Sequence, residues 1–81
     1  MACGGEVSFM IYINKHNTII YNLNNFAYIS MMDDLTNPKK PEYQIIGRYI
    51  NGEDYVIIET YDNAEARDKT FNNIITSIYG R

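Results

Sequence analysis

The stretch Tyr43-Gln44-Ile45-Ile46-Gly47-Arg48-Tyr49-Ile50-Asn51-Gly52-Glu53-Asp54-Tyr55-Val56-Ile57-Ile58-Glu59-Thr60 decides the fold. Two apolar runs, rich in β-branched and aromatic residues, flank an Asn-Gly pair, and this pattern reads as a β-hairpin. Asn51-Gly52 offers the two positive φ angles that a type I′ turn needs. A two-residue turn pairs Ile50 with Glu53, Arg48 with Tyr55 and Ile46 with Ile57. A four-residue turn pairs Ile50 with Tyr55 instead. In both registers one face carries Tyr43, Ile45, Gly47, Tyr49, Val56, Ile58 and Thr60. The other carries Gln44, Ile46, Arg48, Ile50, Glu53, Tyr55, Ile57 and Glu59. A three-residue turn with a bulge breaks this assignment, because one extra residue moves every later side chain to the opposite face. Gly47, alone inside a strand, marks the close approach of another backbone or a large side chain.

Upstream, Val7 to Asn14 alternates, with Val7, Phe9, Ile11 and Ile13 on one side and Met10 and Tyr12 on the other, and is expected to form one strand. Lys15-His16-Asn17 is a polar turn. Thr18 to Leu23 forms a second strand, Asn24-Asn25 another turn, and Phe26 to Met32 a third strand. Residues 33–42, with Pro38 and Pro41, read as an exposed loop, since each proline removes a backbone donor and restricts its predecessor. Downstream, Asp62 to Tyr79 has helical periodicity, with Phe71, Ile74, Ile75 and Ile78 on one face and Ala64 and Arg67 extending it. Asp62 and Glu65 have capping-box spacing, and Gly80 sits where a left-handed cap would end the helix.

These elements predict an α+β fold: one antiparallel sheet of about five strands, built from hairpins or a meander, with a single C-terminal helix packed on it. The chain has 81 residues, enough for one domain and one core. Residues 1–6 read as an N-terminal arm and 7–81 as the domain. At 46% hydrophobic and 21% charged, the composition is that of a folded chain. A net charge of −3 opposes a role in coating nucleic-acid phosphates. No apolar stretch approaches a membrane span and no secretory leader is recognisable, so the expected compartment is the cytoplasm.

No catalytic constellation stands out. His16, the one imidazole, lies in a turn between Lys15 and Asn17, without an activating neighbour. Cys3, the one thiol, lies beside two glycines with no positioned base. Asp33-Asp34 and Glu53-Asp54 are neighbours in sequence and alternate in direction, so neither makes a converging pair. There is no glycine-rich phosphate loop. The expectation is therefore a protein without enzymatic activity, metal or cofactor.

The run Ile19-Ile20-Tyr21-Asn22-Leu23-Asn24-Asn25-Phe26-Ala27-Tyr28-Ile29, followed by the hairpin and a capped helix, resembles short uncharacterised proteins of low-GC Gram-positive bacteria and their phages. The likeness extends from Met10 onward and carries no catalytic motif. It implies a small accessory or mobile-element protein that acts by binding.

One helix covers one face of a sheet, and here both faces carry apolar side chains. The second face must be covered by a partner, by a second copy or by curling of the sheet. The expected binding surface is Ile46, Arg48, Ile50, Tyr55 and Ile57, with Tyr12, and the expected partner is a protein, with a homodimer the favoured assembly. The alternative is a nucleotide or single-stranded nucleic acid stacked on Tyr12, Tyr28 and Tyr55 beside Arg48, since sheet tyrosines next to a cation suit that task.

Overall fold

The computed structural model describes residues 6–8 and 10–79. Cys3, most of the N-terminal arm, Phe9 and Gly80, the expected helix cap, lie outside the described residues. The chain is α+β, with strands β1 (Glu6–Ser8), β2 (Ile11–Ile13), β3 (Ile20–Asn22), β4 (Phe26–Asp34), β5 (Glu42–Tyr49) and β6 (Tyr55–Tyr61), then helix α1 (Ala64–Tyr79). The strands form two antiparallel sheets, β1-β2-β3 and β4-β5-β6, rather than one sheet of about five.

Two local features divide the sheet. The alternating run Val7–Asn14 folds back on itself, pairing Val7 with Tyr12 and Ser8 with Ile11. Met10 sits in the tight turn with φ 69°, a left-handed conformation uncommon for a side chain of its kind. Alternation alone does not reveal such a break, because the period is two on both sides of the turn. The second feature is a short 3₁₀ turn, Leu23–Asn25, capped by the Asn22 side chain, which accepts from the Asn24 amide at 3.0 Å. This turn carries the chain from one sheet to the other.

The inner face of β4-β5-β6 holds Phe26, Ile29, Ile45, Gly47, Val56 and Ile58. Helix α1 and the first sheet both pack on it, through Ile74, Phe71 and Ile78 from one side and Tyr12, Tyr21 and Leu23 from the other. Gly47 is required by that packing. A Cβ there would lie 2.6 Å from Phe26 Cδ1 and 2.9 Å from Ile58 Cδ1, so the Phe26 ring occupies the space a side chain would fill. Phe26 also stacks on Tyr49, its cross-strand partner, with ring centroids 4.7 Å apart.

The hairpin has the expected two-residue register next to the turn, Arg48 with Tyr55 and Ile46 with Ile57. Its connection is longer than expected. Tyr49 to Gly52 closes a turn with the Gly52 amide donating to the Tyr49 carbonyl at 3.2 Å, and neither Asn51 nor Gly52 adopts a positive φ. The Asn-Gly pair is therefore not a type I′ turn. A register shift between Ile45 and Ile46 then pairs Ile45 with Glu59 and Gln44 with Thr60. This bulge turns Glu59 to the inner face and Thr60 to the outer one, reversing their expected positions.

Helix α1 begins two residues later than the sequence pattern suggests. Asn63, not Asp62, caps it, its Oδ1 accepting from the Ala66 amide at 2.8 Å. Ile74 is almost fully buried, whereas Ile75 is exposed. Strand β4 runs two residues past the expected Met32, so the loop is shorter than 33–42, and Asn37 and Lys40 close a turn within it. No helix among the described residues is long and apolar enough to cross a membrane.

Candidate functional site

The outer face of β4-β5-β6 contributes no residue to the main core cluster among the described residues. Strand pairing sets its side chains in rows across the sheet: Tyr28–Arg48–Tyr55, Ser30–Ile46–Ile57, Met32–Gln44–Thr60, and Asp34–Glu42. Tyr28, Tyr55 and Ile57 are 48%, 50% and 48% exposed. Arg48 stands between the two tyrosines, half-buried, with its Nε donating to the Gly52 carbonyl at 3.4 Å. It makes no salt bridge among the described residues; both ion pairs there belong to Arg67.

The residues expected to form the binding surface divide into three groups. Arg48, Tyr55 and Ile57 lie together on the open face, and Tyr28 joins them. Ile46 lies on the same face but is only 4% exposed, and it stands outside the main core cluster. Ile50 has left the strand. It is exposed at the hairpin tip, where its amide donates to the Asn25 carbonyl at 2.9 Å.

Tyr12 belongs elsewhere. It is fully buried between the sheets and donates its hydroxyl to the Glu59 carboxylate. A surface role for Tyr12, with protein or with nucleotide, does not fit this position. Burial, and then the neighbouring Glu59, push its hydroxyl far above the usual tyrosine range. Glu59 also accepts from the Lys15 amide at 2.6 Å. The Lys15 ammonium donates to the Thr60 carbonyl and lies 4.0 Å from the centre of the Tyr61 ring. This part-buried polar group locks the loop between β2 and β3 onto β6. Sequence reasoning missed it because the bulge that turns Glu59 inward has no glycine or other local signal.

The remaining candidates have structural roles or stand apart. His16 is exposed in its turn. Asp33 points inward and pairs with Arg67 at 2.6 Å, while Asp34 points outward and accepts from the Thr36 amide at 3.0 Å. Arg67 also reaches the Met32 carbonyl at 3.1 Å and Asp68 at 2.7 Å. Among the described residues, no three His, Cys, Asp or Glu side chains come together. An apolar groove of about 240 Å³ runs between α1 and the start of β4, lined by Leu23, Phe26, Phe71 and Ile75 among others. Apart from Tyr28 its lining offers no side-chain hydrogen-bonding group to orient a ligand. No protein-family model, curated protein or solved structure matches the chain.

Proposed function

We propose that this chain is a small non-enzymatic binding protein, an accessory or regulatory factor of the phage or mobile-element kind, that grips a protein partner through the outer face of β4-β5-β6. The observation that carries the reading is the one-sided packing of this sheet. The helix and the first sheet both pack on the inner face, leaving Tyr28, Tyr55 and Ile57 half exposed around Arg48. Tyrosine and arginine are the residues that most often anchor protein interfaces, and an apolar centre rimmed by polar groups is the usual anatomy of such a surface. The test is capture by the wild-type chain beside a Tyr55→Ser, Ile57→Ser variant that melts normally. Loss of a captured protein with the variant supports the reading; equal capture by both chains removes the outer face from it.

A second reading has its own observation. The row Tyr28–Arg48–Tyr55 places a cation between two exposed aromatic rings, which suits a nucleotide or a short single strand. Buried Tyr12 is not available to it, and the net charge of −3 opposes it. A salt-sensitive mobility shift with a labelled oligonucleotide, abolished by Arg48→Ala, would favour this second reading over the first.

A further inference from the structure

The outer face is polarised along its strands. Its one arginine, Arg48, stands in the first row, and the carboxylates of Asp34 and Glu42 stand in the last. The separation along β5 is ~20 Å at the usual rise of a strand. Between the two ends lie the rows Ser30–Ile46–Ile57 and Met32–Gln44–Thr60, polar and apolar in equal number. Arg48 has no carboxylate partner among the described residues. Asp34 is held below the usual carboxylate range by hydrogen bonds from Thr36, so its charge persists, and Glu42 accepts only from the Gln44 amide at 3.3 Å.

A two-fold axis lying in the plane of the face and running across the strands turns this pattern onto itself. The axis sends the Arg48 row over the Asp34–Glu42 row and brings β5 over β5. An interface of this symmetry is made of one patch meeting itself, so it needs opposite charges at the two ends of the patch. This face has them.

Resting on the reading of the outer face as a binding surface, we propose that its occupant is a second copy of this chain. The strands of the two copies run antiparallel, Arg48 of each meets Glu42 and Asp34 of the other, and the Ser30–Ile46–Ile57 row of each lies over the Met32–Gln44–Thr60 row of the other. The face spans ~10 Å across two strand spacings and ~20 Å along them. That is about 200 Å² of flat sheet on each copy, below the range of stable complexes, so the dimer is weak and transient and forms toward the high-micromolar range.

Sedimentation equilibrium with charge-swapped chains tests the arrangement. Arg48→Glu alone faces two carboxylates in its own dimer. Asp34→Lys with Glu42→Lys faces Arg48 in its own dimer. Each is expected to weaken self-association at least about tenfold, since like charges meet twice. An equimolar mixture of the two is expected to recover the wild-type dissociation constant, because both ends then match. Thermal melting confirms that each chain is folded, and Glu42→Lys alone supplies the same repulsion at a strand end should Arg48→Glu fail to fold. A monomeric wild-type chain at high micromolar concentration overturns the proposal, as does a dimer indifferent to the swaps or a mixture that fails to recover. If the wild type is monomeric yet the Tyr55→Ser, Ile57→Ser variant loses a captured protein, or Arg48→Ala loses an oligonucleotide, the face binds something else. The second-copy inference then falls while the binding reading stands or changes class.

Discussion

The two faces of β4-β5-β6 are made of similar residues and have opposite fates. The inner face sets Phe26, Ile45, Gly47 and Ile58 against a helix and a second sheet, and almost all of that surface is dry. The outer face sets Tyr28, Arg48, Tyr55 and Ile57 in the same alternation, and half of each large apolar side chain meets water. Apolar content therefore does not say which face becomes core. The difference lies in steric fit. Gly47 opens a gap on one face only, and the Phe26 ring fills it.

The contrast can be broken most sharply from the inside. Ile74 is 1% exposed and lies in the centre of the inner contact, so Ile74→Ala is expected to cost about 2–5 kcal/mol, read by denaturant unfolding. Gly47→Ala adds a methyl group where Phe26 already stands and is expected to cost about 1–3 kcal/mol through overpacking.

The buried Tyr12 offers a pH test of the same side. Its hydroxyl keeps its proton in the folded chain because burial and Glu59 raise its pKa, whereas the unfolded chain releases that proton above about pH 10. The folded state then binds more protons than the unfolded one, so this contribution is whole below about pH 10. Above it stability should fall by about 1.4 kcal/mol per pH unit. Tyr21, raised by its own burial, acts in the same direction. A melting temperature that stays flat above pH 10 would show that Tyr12 is not held as described.

Smaller effects sharpen the comparison. Asn63→Ala removes the cap of the helix that covers the inner face and should cost about 1 kcal/mol in the same unfolding assay. Tyr55→Ser with Ile57→Ser, on the open face, should change monomer stability by less than about 0.5 kcal/mol at each site in dilute solution.

Much of this contrast was legible in the sequence. Alternation in Tyr43–Tyr49 and Tyr55–Ile58 assigned each residue of that half of the hairpin to its correct face, and Gly47 announced a close approach. What was not legible came from single-residue irregularities. The turn at Met10 split one expected strand into two. The bulge after Ile57 exchanged Glu59 with Thr60, and with that exchange Tyr12 gained a buried carboxylate to bond. The expectation that Ile75 faces the core failed for a related reason. The inward stripe of α1 follows Arg67, Phe71, Ile74 and Ile78, and Arg67 is buried because it reaches the Met32 carbonyl and Asp33 on β4. Helical spacing placed Arg67 on this stripe together with Ile75, and it did not show that Arg67 is the buried one and Ile75 the exposed one.

The occupant proposed for the outer face is a second copy of the chain. The most direct measurement is the solution mass by light scattering, from about 1 to about 100 micromolar, of the wild-type chain beside Ile57→Asp. The wild-type mass is expected to rise from one chain toward two across this range, while Ile57→Asp stays at one chain and melts within a few degrees of wild type. A wild type that remains a monomer throughout, with an Ile57→Asp chain that unfolds, would contradict it and make the outer face a second core.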